Sequence, residues 1–318
     1  MYIGNKEVSS VFIGDKEVSG IYLGDKEIWS SGFKARFVTV GESSKSYYSL
    51  DGENWIAMSG LSGIFQSVAY GKNRFVTVGE AGKSYYCVNG ETWEPMSGLS
   101  NTTFRSVTFG NNRFVAVGND GKSYQSTDGK TWEPMSGLSG TVYSVAYGDN
   151  KFVAVGSDGI YSCSDDSINW NKNTPSTTIG GTIYSISYDK DNNVFIIGSY
   201  VRNGGGAYYS NNLTSWTDMK YPTNEKINGI CYDAQSEIYV FVGSNKAYRR
   251  NSIKTSGNSW TNITNMDCSL LGVVASNGKI VAVGEDCTTY YLNGPRWVKM
   301  GGISTSSATL NGVAYGGI

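Results

Sequence analysis

The chain of 318 residues carries 26 Lys and Arg against 27 Asp and Glu, a formal charge of −1, and no histidine. That balance excludes the extended phosphate-neutralising surface of a nucleic-acid binder, and the missing imidazole excludes Ser-His-Asp and Cys-His catalysis and His-based zinc sites. Gly (41) and Tyr (23) are abundant and Pro (5) is scarce, which suits many short strands joined by tight turns.

The chain opens MYIGNKEV, with neither a basic n-region nor an apolar h-region, and no stretch approaches the roughly 18 apolar residues of a membrane span. Sec export and membrane insertion are therefore not expected. The five cysteines form no C-x-x-C pair and no regular framework, as in a reduced, cytosolically made protein.

Residues 1–31 hold a ten-residue repeat, YIGNKEVSSV, FIGDKEVSGI and YLGDKEIWSS. Aromatic residues recur at Tyr2, Phe12 and Tyr22, and Trp29 falls in the third copy. These read as three short hairpin-like units with a thin apolar face. Thirty-odd residues cannot bury a core alone, since a domain of about 60 is already marginal. The arm must dock on something, fold with copies of itself, or stay flexible.

Residues 32–318 follow a longer period. Trp55, Trp93, Trp132, Trp170, Trp216, Trp260 and Trp297 recur at intervals of 37 to 46 residues, the length of a four-stranded propeller blade. The clearest copies run FQSVAYG, RFVTVG, KSYYCVNG, TWEPMSGLS from Phe65 to Ser100 and FRSVTFG, RFVAVG, KSYQSTDG, TWEPMSGLS from Phe104 to Ser139. Period-two alternation marks the strands, and the GKNR and GNNR links read as hairpin turns. Later blades span Tyr143 to Thr174, Tyr184 to Tyr221, Ile227 to Met266 and Leu270 to Gly302. Two insertions lengthen them: Gly198 to Gly206, between the second and third strands of blade five, and Arg249 to Ser259, before the Trp of blade six.

The first blade, Ala35 to Ser62, lacks an inner strand. LNGVAYGGI, Leu310 to Ile318, matches FQSVAYGKN and is predicted to pair beside Phe37 to Val40, closing the ring and removing its open edges. The fold class is all-β: a seven-bladed propeller closed by the C-terminal strand, with a short N-terminal β-repeat arm. The tryptophans and Tyr47, Tyr85, Tyr124 and Tyr161 are expected to be blade-to-blade core rather than a row of sugar platforms.

SLDGENW (Ser49 to Trp55), STDGKTW (Ser126 to Trp132) and SDDSINW (Ser164 to Trp170) resemble the Asp-box of sialidase-type propellers, S-x-D-x-G-x-x-W, with one residue fewer. An Asp or Asn stands four before the Trp in six blades, at Asp51, Asn89, Asp128, Asp166, Asn212 and Asn293. Its expected role is to cap a turn, with positive φ supplied by Gly52, Gly90, Gly129 and Gly294. Cys87 takes the place of Ser49 and Ser126 as a small packing residue. In the family it resembles, the box lies away from the active site. That family also gathers three arginines on its substrate carboxylate. Here Arg36, Arg74 and Arg113 share one repeat position and are expected to point outward from different blades, no FRIP-like motif is present, and Arg249-Arg250 is a lone pair.

Two features remain as candidate ligand sites. The loop after the second strand carries Glu42, Glu80, Asp120, Asp158 and Glu285, on the rim that also bears the blade-to-blade loops. These acids can receive hydrogen bonds from hydroxyl-rich sugars, hold a cation, or stand as solvated turn residues. Blade five adds Tyr200, Arg202 and Asn203 ahead of three glycines, read as a mobile recognition loop. No dense ligand run specifies a metal, and no cofactor is expected.

The ten-residue arm repeat resembles N-terminal segments of bacteriophage tail-fibre and other appendage proteins. That resemblance implies attachment to phage structural proteins through Tyr2, Phe12, Tyr22 and Trp29, with homo-oligomerisation as a further option. The expectation is a non-enzymatic virion protein that binds a host-surface glycan or protein. The alternatives are a decorating virion component that touches only other phage proteins, and a sialidase-like glycan hydrolase.

Overall fold

The computed structural model of the protein describes residues 35–318 apart from residues 165–168, 177–178, 180, 202–203, 254–259, 277, 302, 304–306 and 318, and the backbone of six short strands before them. Those six pair as three two-stranded antiparallel units, Tyr2–Ile3 with Lys6–Glu7, Val11–Ile13 with Lys16–Val18, and Gly20–Leu23 with Lys26–Ser30. The three units recur with the ten-residue repeat.

The remainder forms seven four-stranded antiparallel sheets in meander order. Blade two is typical: Phe65–Gly71 innermost, then Arg74–Gly79, Ser84–Cys87 and the outer Glu94–Pro95. The inner strands pack side by side in cyclic order around one axis. Second strands such as Arg113–Gly118 are buried along their whole length, because a neighbouring blade covers each face. Inner hairpins turn at Lys72-Asn73, Asn111-Asn112 and Asp149-Asn150, with φ positive at both residues of each pair. That is the turn whose twist matches the flanking strands.

Closure follows the predicted register. Leu310–Gly316 is the inner strand of blade one, with Gly312 opposite Val40, Ala314 opposite Val38 and Tyr315 opposite Phe37. The Thr39 hydroxyl adds a bond to the Gly312 carbonyl at 2.9 Å.

Three contacts hold one blade to the next. First, an inner-strand aromatic lies on a glycine of the blade before it: Phe109 on Gly71, Tyr147 on Gly110, Tyr188 on Gly148 and Tyr70 on Gly316. A Cβ at any of these glycines would stand 1.9 to 2.1 Å from a ring carbon. Second, the blade tryptophans are core, as expected, at 1 to 5 % exposure except the half-buried Trp260. Trp93, Trp132 and Trp170 donate their indole N–H to Ser46, Ser84 and Ser123 of the preceding blade at 3.1 to 3.2 Å.

The third contact corrects an expectation. Arg36 and Arg113 are buried rather than turned outward, and Arg74 is half-buried. The Arg36 guanidinium donates to the Gly90 carbonyl at 3.1 Å and Arg74 to the Asp128 carbonyl at 2.9 Å, each in the box turn of the following blade. Lys279 does the same to the Asp51 carbonyl at 2.6 Å. Blade six has Ile238 at that place, and Arg249 reaches the Gly294 carbonyl at 2.9 Å instead. Arg250 is buried on the Met219 carbonyl at 2.7 Å. Arg36, Arg74, Arg249 and Lys279 are inter-blade fasteners, because a box turn offers carbonyls that need a long donor. Arg113 donates to Gln125 of its own blade at 2.7 Å and lies over Phe152 of the next.

Candidate functional site on the propeller rim

The box turns account for themselves. Asp51 accepts from the Glu53 and Asn54 amides at 2.8 Å, and Asp128 from the Lys130 and Thr131 amides at 2.8 and 2.9 Å. Asn89 and Asn212 make the same pair of bonds. Burial alone would raise the Asp51 and Asp128 carboxyls, but these amides, with Ser49 and Ser126, outweigh it and hold both below the usual carboxylate range. Gly52, Gly90, Gly129 and Gly294 have positive φ, as the sequence predicts. Cys87 is buried, and its thiol donates to Asn89 where Ser49 and Ser126 donate to their aspartates. The Asp166 turn lies outside the described residues.

The rim opposite these turns is where the loop acids sit. The Glu80 amide bonds the Ile64 carbonyl, Glu42 that of Thr309 and Glu285 that of Ser269, so each second-strand loop lies beside the entry to its own inner strand. Glu80, Asp120, Asp158 and Glu285 are exposed and Glu42 is half-buried. The side chains of Glu42, Asp158 and Glu285 serve local turns. Glu42 accepts from the Thr309 amide at 3.3 Å, Glu285 from the Ser269 amide at 3.4 Å, and Asp158 from the Ser139 and Ser157 hydroxyls at 2.7 and 3.1 Å. Those hydroxyls lower the Asp158 carboxyl. The five acids belong to five different blades and do not converge. Among the described residues no three His, Cys, Asp or Glu gather around a point that could hold a metal ion.

Blade five departs from this rim. Its second strand, Val194–Val201, outruns the six-residue strands of its neighbours and pairs with Gly204–Ser210, setting Tyr200 opposite Gly205 and Val201 opposite Gly204. The segment expected to be a mobile loop is thus an extended hairpin, because its apolar alternation continues two residues further before turning. Arg202 and Asn203 lie outside the described residues. Register places Ser199 where blade two has Gly79, so Tyr200 occupies the position of Glu80. Its side chain is 36 % exposed. An aromatic therefore stands where blades one, two and seven carry Glu42, Glu80 and Glu285.

Of the other predicted residues, Tyr47 is buried core, while Tyr85 and Tyr124 are half-buried against Phe65 and Phe104. The Tyr161 side chain and those of Tyr2, Phe12, Tyr22 and Trp29 lie outside the described residues. Cys87, Cys231, Cys268 and Cys287 are free thiols, and burial pushes the first three upward.

Sequence reasoning missed a cavity of about 690 Å³ on the turn side of the central channel, lined by the inner-strand ends of blades four to seven. Its signal is legible once the blades are aligned. The YG or FG pair that ends most inner strands reads YD at Tyr188-Asp189 and Tyr232-Asp233, and AS at Ala275-Ser276.

Fold and site together define a class, a seven-bladed β-propeller whose repeated polar residues are committed to its own turns and blade contacts. The chain matches the DUF6242 beta propeller domain over residues 65–223, half its length, and belongs to that family. No curated protein matches it. Among solved structures it is similar to the WD40 beta propeller domain of Doa1, with 14% identity, 89% of each chain covered and a TM-score of 0.63. It is also similar to the computationally designed Ika8 protein (13% identity, 87% of this chain and 90% of that one, TM-score 0.60). YCF48 bound to D1 peptide follows at 17% identity, 74% and 80% coverage and a TM-score of 0.56. At these identities the likeness is one of fold.

Proposed function

We propose that this chain is a non-enzymatic, virion-attached binding protein, with residues 1–31 as the anchor on phage structural proteins and the propeller as the module that recognises a host-surface glycan or protein. The observation that carries the binding role is Tyr200, an exposed aromatic at a rim position held by Glu42, Glu80 and Glu285 in three other blades. Exposed aromatic faces suit both pyranose rings and peptide side chains. The repeated arginines and box aspartates speak against a hydrolase, since they are spent on blade contacts and turns. YCF48, a neighbour in fold, is seen with a bound peptide, which supports a protein ligand alongside a glycan. The phage assignment rests on the ten-residue arm repeat.

The test compares the full chain with a chain lacking residues 1–31 in a glycan array, a bacterial cell-binding assay and co-sedimentation with phage particles. The expected result is that both bind cells or a glycan, that Tyr200→Ala weakens this binding, and that only the full chain sediments with particles. Particle attachment without any cell or glycan binding would favour a decorating component. Release of reducing sugar from a host polysaccharide would make the chain a hydrolase.

A further inference from the structure

The turn side of the channel carries a second site. Where most blades end their inner strand in glycine, blades five and six have Asp189 and Asp233, only 0 % and 3 % exposed. Asp189 is saturated. Its Oδ1 accepts from the Asp191 and Asn192 amides, and its Oδ2 from the Asn192 side-chain amide and the Tyr239 hydroxyl. Asp233 receives two bonds, from the Ser236 amide at 3.0 Å and hydroxyl at 2.5 Å, and both go to Oδ2. One blade further on, the place of Tyr239 is taken by Ile280, which has no hydroxyl to offer. The Asp233 Oδ1 takes no hydrogen bond from the described residues, and Asp233 lines the cavity, so this oxygen is an acceptor that a donor entering there can reach.

The neighbouring position provides the room. Ala275 stands where five blades place a Tyr and one a Phe, so the volume that a ring would fill is open beside Asp233. Tyr147, Tyr188 and Tyr232 wall the cavity, and Gln235 stands at its edge. Its other charges are already paired, Asp149 with Lys151 at 2.7 Å and Lys190 with Asp191 at 3.0 Å. What the cavity offers a visitor is a buried acceptor and aromatic walls.

We propose that this cavity binds the guanidinium or ammonium group of an arginine or lysine side chain presented by a protein partner, inserted from the turn side of the ring. A donor-only cation matches a carboxylate oxygen that lacks a donor, and its charge is favoured by tyrosine faces. The chain seats its own arginines in this way, Arg36 4.8 Å over the Tyr48 ring and Arg113 5.0 Å over Phe152. This site is on the face opposite Tyr200 and does not depend on the rim-side reading.

The test is an NMR titration of the full-length, isotope-labelled chain with N-acetylarginine amide, with its uncharged isostere N-acetylcitrulline amide, and with methyl glucoside. The expected result is saturable shifts of the Asp233 to Ser236, Ala275 and Ser276 amides with the arginine probe alone, with a Kd on the order of 1 mM. Asp233→Asn removes the carboxylate, and Ala275→Tyr restores the missing ring as Tyr232 does beside Asp189. Each should weaken binding at least about tenfold, since 1.4 kcal/mol is one decade. Thermal melting identifies a variant that fails to fold, and the other variant then decides. No shifts at these amides, equal shifts with citrulline or glucoside, or binding that survives in the folded variants would overturn the proposal.

Discussion

Blades one to four and blades five to seven solve the same packing problem differently. At the interfaces among the first four, an indole donates to a serine of the preceding blade, and the aromatic-on-glycine contact repeats from Phe109 on Gly71 to Tyr147 on Gly110. Further on, the serine position holds Ile160, Ala207, Ala247 and Thr289 in turn. Trp216 and Trp260 then donate to the Leu213 and Met219 carbonyls, and the buried indole nitrogens of Trp297 and Trp55 have no partner. The comparison teaches that a repeat is most faithful where every polar atom of the contact is used, and drifts where one member has been lost.

The largest expected effect lies in the faithful half. Trp132→Ala should cost about 3–5 kcal/mol in urea unfolding, the range for emptying a buried aromatic site, whereas Trp260→Ala should cost less because that ring is half-buried. Equal losses would remove the distinction between the halves. Next, Gly110→Ala drives a methyl into the Tyr147 ring and should cost about 1–3 kcal/mol, while Gly294→Ala meets no atom within 4 Å and should show only the strain of a positive φ.

A reciprocal pair probes the indole contact itself. Ser84→Ala strands the buried Trp132 N–H and should cost about 1–3 kcal/mol; Ala247→Ser gives Trp297 the missing acceptor and should gain about 0.5–1.5 kcal/mol. A shift of the denaturation midpoint in the same direction for both would sink this reading of the drift.

The smallest effect is in pH dependence. Asp51 and Asp128 have carboxyls lowered in the folded state, so their contribution is fully present above the ordinary carboxylate pKa of about 3.9 and is lost as pH falls toward the lowered values. Blades two and five use Asn89 and Asn212 for the same cap and should be indifferent to acid. Unfolding midpoints of Asp51→Asn/Asp128→Asn should therefore fall less steeply below about pH 4 than those of the parent. An unchanged slope would mean that the caps do not couple to protonation.

Much of the ring was legible because its signals are local and repeated: turn pairs, second-strand apolar runs, the box before most of the blade tryptophans. The closing strand could be read because Leu310 to Gly316 copies Phe65 to Gly71. What escaped was set by the adjacent blade. Arg36 carries no mark in sequence of the Gly90 carbonyl some fifty residues away, and the extended hairpin at Tyr200 looks like a loop because its glycines suggest one. The Asp233 cavity depends on three substitutions in two adjacent blades, none unusual alone: Asp for Gly in blade six, Ala for Tyr and Ile for an aromatic in blade seven.

The pairing of Leu310–Gly316 with Arg36–Gly41 also bears on the order of folding. Blades two to seven are each drawn from contiguous sequence and can form while synthesis proceeds, but blade one waits for a strand made about 270 residues later. Until that strand arrives, Arg36–Gly41 is a bare β-edge and blade seven has an uncovered face. The seam is the slowest step that the topology imposes and the window in which copies of the chain are most open to exchanging strands with one another.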